Sequence, residues 1–220
     1  MGVVLITGAN RGIGLELARQ MAARGRKVIG TARRPEEAAE LQKVAKVIAL
    51  DVADEASVEG MAREVGDEAV DVLFNNAGVS SKSPKLEVCT KEELTRVLAI
   101  NSIGPVLVTK ALLGNVRKGE RKLVVNVTSQ LGSIARNEGG SYGYRASKAA
   151  LNMFTSCMAK EHKDVTFIAM HPGWVQTDMG GKNAPLKVEE SVSSMLLALE
   201  RVGTADSGSF LNFDGTTIPW

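Results

Sequence analysis

Cysteine, histidine and tyrosine are scarce in this chain of 220 residues, and each scarcity excludes something. Cys89 and Cys157 are the only cysteines. They are too few and too far apart for a disulfide framework or a thiolate metal site, which implies a reducing compartment and an expected cytoplasmic location. His162 and His171 form no ligand pair with them, so no metal is expected. Runs of five or more basic residues are missing and the formal net charge is only +2, which argues against a nucleic-acid or anionic-membrane partner. No uninterrupted apolar run approaches the ~18 residues that span a bilayer. The opening MGVVLITGANRG has no basic segment ahead of its apolar residues, unlike a secretory signal, and lacks the hydroxyl residue of a myristoylation signal. With 44% apolar and 24% charged residues, the chain reads as an ordered, soluble, globular protein.

What is present is an alternation. Short β-rich runs (Val3–Thr7, Lys27–Thr31, Lys46–Leu50, Val70–Phe74, Leu123–Val127, Val165–Met170, Ser209–Phe213) separate segments of helical pattern. Helices are expected after Gly14, from Pro35, from Asp54 to Gly66, from Lys91 to about Leu113, over Tyr144–Lys160 and over Glu189–Arg201. Strands rich in Val, Ile and Leu on both faces, alternating with helices, predict an α/β fold. Right-handed crossovers make it doubly wound, a single domain over residues 1–220 with a seven-stranded parallel sheet and helices on both faces. The freest loops are expected at Ser80–Lys85 and Gly180–Pro185.

The first strand runs into Gly8-Ala9-Asn10-Arg11-Gly12-Ile13-Gly14. A glycine turn between a strand and an amphipathic helix lets backbone N–H groups approach a pyrophosphate. The spacing is G-x3-G-x-G, so the context carries the assignment more than the glycines do. At the end of the second strand, where an NAD site places an acid for the ribose 2′-hydroxyl, this chain has Ala32-Arg33-Arg34. Two guanidiniums, with Arg11 as a third, suit a phosphate monoester, so NADP(H) is the expected coenzyme. Asp51 is placed to reach an adenine edge and equally well to cap a helix.

Both tyrosines fall in SYGYRASKAA, at Tyr142 and Tyr144. At ~100° per residue, Tyr144 and Lys148 lie within about 40° on one helix face, whereas Tyr142 is about 120° from Lys148. A phenol near pKa ~10 needs help to exchange a proton at neutral pH, and a neighbouring ammonium favours the phenolate. The pair can form a general acid/base.

TGANRGIG, NNAG at Asn75–Gly78, Asn101, Val127-Thr128-Ser129, YRASK at Tyr144–Lys148 and Pro172-Gly173-x3-Thr177 occur in this order. Together they resemble the short-chain dehydrogenases/reductases, and HPGWVQTDMGG is similar to the branch of C-factor and sniffer-type carbonyl reductases. The resemblance implies a Rossmann fold and hydride transfer to or from a small carbonyl or alcohol substrate. It implies that Tyr144 donates the proton, Lys148 lowers the Tyr144 pKa and binds the nicotinamide ribose, Ser129 bonds the substrate oxygen, and Asn101 holds a relay water. It assigns to the coenzyme Gly8, Asn10, Arg11, Gly12, Ile13, Gly14, Arg33, Asp51, Val52, Asn75, Ala77, Gly78, Tyr144, Lys148, Pro172, Gly173, Val175 and Thr177. A homodimer or homotetramer is also implied. Ser133 competes with Ser129, while His171 reads as structural and Tyr142 as a wall or cap. The lean stretch Asp178–Lys187 suggests an open substrate site.

Overall fold

The computed structural model describes residues 2–82 and 84–220; Met1 and Ser83, the latter within the expected free loop Ser80–Lys85, lie outside the described residues. Seven strands form one parallel sheet: β1 (Val3–Ile6), β2 (Lys27–Ala32), β3 (Lys46–Ala49), β4 (Val70–Asn75), β5 (Leu123–Val127), β6 (Thr166–His171) and β7 (Ser209–Asn212). Their order is β3-β2-β1-β4-β5-β6-β7. The chain therefore reverses its direction of travel across the sheet between β1 and β4, and the carboxyl ends of those two strands frame the crevice where such folds bind ligands.

Side-chain alternation divides the core. Val4 and Ile6 of β1 face α1 (Gly12–Ala23), the short α2 (Ala39–Gln42) and α7 (Val188–Glu200), meeting Leu17, Leu41, Val192 and Met195. Val3 and Leu5 face α3 (Glu55–Val65) and α5 (Gly104–Lys118), meeting Val58, Met61, Val108 and Leu112; α6 (Tyr142–Glu161) contributes Ala159 to that side. This period-two division covers both faces of the sheet, as expected of buried parallel strands.

Local chemistry sets most boundaries. Asp54 caps α3 by accepting from the Ala56 N–H at 3.2 Å, and Gly25 follows α1 with φ +75°. Three expectations are corrected. The helix predicted from Pro35 is a single 3-10 turn, Pro35–Glu37, followed by α2, because Ala38 leaves helical geometry and is buried. α6 starts at Tyr142 rather than Tyr144, directly after Ser141 in the left-handed region at φ 48°. The long helix after Lys91 is α4 (Lys91–Leu98) and α5 joined by a π turn, Ala99–Ile103, that contains Asn101. This helical span, Lys91–Lys118, is 28 residues long and passes by length and mean composition for a membrane-crossing helix, although polar residues such as Asn101, Ser102 and Lys110 interrupt its apolar runs. It packs instead on β4, β5, α3 and α6.

Candidate active site

A cleft of about 960 Å³ opens along the carboxyl ends of the strands. Its volume lies within the range of small-molecule and cofactor sites. Gly8, Asn10, Arg11, Gly12, Ile13, Gly14, Arg33, Asp51, Val52, Ala77, Gly78, Ser129, Tyr144, Lys148, Pro172, Gly173, Val175 and Thr177 all line it. Thus most of the positions singled out from sequence meet in one place, brought together from distant stretches of chain.

The glycine loop is braced from behind. Thr7 Oγ1 accepts the backbone N–H groups of Asn76 and Ala77, each at 3.0 Å, and the Asn76 amide donates to the carbonyls of Thr7 at 2.9 Å and Gly8 at 3.1 Å. Gly14 permits this approach: a Cβ there would stand 2.4 Å from the Gly8 oxygen and 2.5 Å from Asn76 Nδ2. The result is a turn packed closely on Asn76 and Ala77, with Asn10, Arg11 and Ile13 beside its backbone along the cleft.

Arg33 and Arg34 stand at the end of β2 and line the cleft, with no carboxylate in the position that would meet a ribose 2′-hydroxyl. Arg34 pairs with Glu37, while Arg33 is exposed. Arg11 does not simply add a third free cation, since its Nη1 lies 2.5 Å from Asp178 Oδ2. That pair ties the glycine loop to the segment after β6. In the same contact, the Thr177 methyl lies 3.5 Å from where a Gly12 Cβ would be. Asp51 lines the cleft and accepts the Ala53 N–H at 3.0 Å in a local turn, while the cap of α3 is Asp54.

One residue assigned to the coenzyme is misplaced. Asn75 is buried away from the cleft, where its amide donates to Asn126 Oδ1 at 2.8 Å and Thr109 Oγ1 at 2.9 Å. Asn126 in turn donates to Thr155 Oγ1 at 2.8 Å, so this polar chain binds β4, β5, α5 and α6 together behind the cleft. Its neighbour Asn76, not singled out from sequence, is the asparagine that lines the cleft.

Lys148 is buried under the site, with Nζ donating to the Val127 carbonyl at 2.9 Å and lying 5.7 Å from the centre of the Tyr144 ring. Tyr144 and Ser129 line the cleft together. Ser129 Oγ accepts the Leu131 N–H at 3.1 Å, which fixes it at the head of the turn Gln130–Gly132. Burial pushes the Lys148 ammonium down to about 8. Burial raises the Tyr144 pKa, and the nearby Ser129 hydroxyl, which favours the phenolate, offsets only part of that. In the ligand-free protein desolvation sets the direction of the Tyr144 shift, and the phenol keeps its proton.

Asn101 does not line the cleft and is fully buried within the π turn. Its side chain accepts the Val79 N–H at 2.8 Å and donates to the Val79 carbonyl at 2.9 Å and Ser147 Oγ at 3.0 Å. With both amide hydrogens and the oxygen engaged, the side chain has little left for a relay water. A π turn shifts the backbone hydrogen-bond register, so any relay here runs through main-chain groups rather than the amide. Gly78 connects the two regions: a Cβ on it would stand 3.3 Å from Asn101 Oδ1 and 3.7 Å from Lys148 Nζ.

The competing residues separate. Ser133 is tied to Pro219, donating to its carbonyl at 2.6 Å, and does not line the cleft. Tyr142 is exposed outside the cleft. His171 is buried at the cleft wall with Nδ1 unpartnered, and burial lowers its pKa to about 4. Trp174 lines the cleft, its indole N–H donating to the Gly180 carbonyl at 2.8 Å.

A tightly braced glycine loop continuous with a buried Tyr–Lys–Ser group is equipped to hold a dinucleotide at one end and donate a proton at the other. Comparisons with known proteins agree. Residues 2–186 match the family model described as short chain dehydrogenase. C-signal from Myxococcus xanthus is 44% identical over 154 residues, covering 69% of this chain and 93% of that protein. Among solved structures, the carbonyl reductase Sniffer of D. melanogaster superimposes with a TM-score of 0.95 at 32% identity, covering both chains fully. An NADPH-bound carbonyl reductase from chicken fatty liver gives a TM-score of 0.92 at 34% identity, again over both full chains.

Proposed function

Because this chain belongs to the short-chain dehydrogenase family and is an oxidoreductase of carbonyl-reductase type, we propose that it uses NADPH to reduce the carbonyl group of small ketones, aldehydes or quinones. The observation that carries the reading is that Tyr144, Ser129 and buried Lys148 line the same cleft as the glycine loop. The residues fit the coenzyme. The loop backbone at the N-terminus of α1 would accept a pyrophosphate, and Arg33 is available to a 2′-phosphate. The similar reductase from chicken fatty liver binds NADPH.

The coenzyme, when bound, supplies the hydride. Everything else falls to the chain. Tyr144 holds a proton that burial keeps in place and transfers it to the carbonyl oxygen as negative charge develops there. Ser129 holds that oxygen and the phenol in line. Lys148 would donate to the ribose hydroxyls of a bound coenzyme, and its positive charge would stabilise a Tyr144 phenolate after the transfer. The carbonyl gains one hydride on carbon and one proton on oxygen to become the alcohol, and the phenolate is reprotonated from solvent.

The test follows NADPH oxidation against a panel of small aldehydes, ketones, diketones and quinones, with Tyr144→Phe beside the wild type. Wild-type turnover, lost in the variant while NADPH binding persists, supports the reading. NADPH binding without turnover of any panel member favours the second reading, a nucleotide-binding signalling protein, which the 44% identity to a protein named C-signal motivates. The proposal extends to self-association through the apolar residues exposed on adjoining helices, Ile103, Met153 and Phe154, checked by sedimentation velocity. A cytoplasmic location suits the two free thiols, Cys89 and Cys157.

A further inference from the structure

A second cavity, of about 280 Å³, lies beside the N-terminal turn of α6. Tyr142, Arg145 and Ala149 of α6 line it with Leu131, Ile134 and Asn137. At ~100° per residue, these α6 positions lie on average about 110° from Tyr144 and Lys148, with Arg145 about 60° from Lys148, so the cavity opens on the flank of the catalytic face of the helix. Leu131 is the point of contact, since it also lines the main cleft and its N–H is held by Ser129.

The cavity holds an electrostatic anomaly. Nε and Nη1 of Arg145 are buried and have no hydrogen-bond partner. Among the described residues no carboxylate lies within ion-pair distance of this guanidinium. A guanidinium is always charged, and leaving its N–H groups buried without acceptors is costly. Its surroundings explain what would satisfy it. No other lysine or arginine lines the cavity, so the site offers one positive charge. Tyr142, Leu131 and Ile134 supply an apolar wall for the rest of a ligand.

We propose that this cavity is a binding site for a small organic monocarboxylate, with Arg145 receiving the carboxylate and the Tyr142 side packing on an aryl or short alkyl body. A planar carboxylate matches the guanidinium fork, whereas a phosphate would bring a second charge with nothing to meet it. Occupancy would press on Leu131 and so on the turn that carries Ser129, which places the site where it can tune turnover without sharing the cleft.

The probes are benzoate, its neutral analogue benzamide, and inorganic phosphate, added to the whole chain and followed by calorimetry and amide chemical shifts. Benzoate is expected to bind saturably, to shift Tyr142, Ala146 and Ala149, and to bind whether or not NADPH is present. Benzamide, phosphate, and benzoate on Arg145→Gln are each expected to bind about tenfold more weakly or worse, with Arg145→Lys between. Equal binding of benzoate and benzamide, shifts confined to the main cleft, or competition with NADPH would overturn the proposal. So would absent benzoate binding together with an Arg145-dependent change in self-association, which would give the guanidinium to a second copy of the chain. Shift mapping on the wild type decides the matter even if the variant fails to fold. None of these readouts depends on the carbonyl-reductase reading.

Discussion

At the scale of single residues, burial sets the protonation of the site. Lys148 in an ordinary setting would titrate far above neutrality, yet here its value is about 8. Its folded pKa is depressed, so the native state binds fewer protons than the unfolded chain between pH ~8 and the ordinary lysine value near ~10.4. Stability from this group is therefore lowest below the folded pKa and rises across that window. Nitrogen-15 NMR of the ligand-free protein should show the ammonium titrating near pH ~8; a midpoint near ~10.4 would refute the burial argument. His171 gives the complementary case at acid pH. Its folded value of about 4 sits below the ordinary ~6.5, so the protein should lose on the order of 3 kcal/mol between those values as the unfolded imidazole gains its proton first. Denaturant melts of His171→Phe should show a flatter stability profile from pH ~7 to ~4, and an unchanged slope would count against it. These shifts were not legible in the sequence. The spacing of Tyr144 and Lys148 predicts shared location but not how much water reaches them, and hence not the sign of the Tyr144 shift.

At the scale of elements, the strand–helix alternation was legible because Val, Ile and Leu runs are short and their breaks carry Gly, Pro and Asp. The π turn at Ala99–Ile103 was not, because the apolar spacing on either side of Asn101 remains helical and one extra residue per turn leaves little trace in it. Asn101→Leu should remove three hydrogen bonds and leave the half-buried Val79 N–H and C=O without these partners. A loss of about 2–4 kcal/mol is expected in urea unfolding, with activity falling even where the variant stays folded. A stability change within about 0.5 kcal/mol would mean that the amide is dispensable. Asn75 was assigned to the cleft by motif, but strand alternation tells against it: Leu73 faces the α3 and α5 side, and Asn75 two residues on must do the same.

At the scale of the whole molecule, the chain brings distant segments across one cleft, and pairings of that range leave no local mark. The Arg11–Asp178 pair joins residues 167 apart in sequence. Both partners are exposed, so the pair itself stabilises the fold little. It holds the segment after β6 against the glycine loop, so any consequence is expected in the rate of coenzyme exchange rather than in stability. Asp178→Asn should speed NADPH dissociation by a fewfold in stopped-flow fluorescence with little change in unfolding temperature. An unchanged release rate would show that the contact does not gate exchange. Arg33→Ala, by contrast, should weaken NADPH binding about tenfold or more while leaving NADH nearly unaffected. That difference was legible, since it rests on which residues end β2.

The hydrogen bond from Ser133 to Pro219 spans 86 residues, and Ala135 N–H meets the Trp220 carbonyl at 3.0 Å while Trp220 stacks on Phe210. The turn that carries Ser129 therefore leans on a strut from the far end of the sequence, so the aim of the proton-donating end is open to disturbance at Pro219 and Trp220, neither of which lines the cleft.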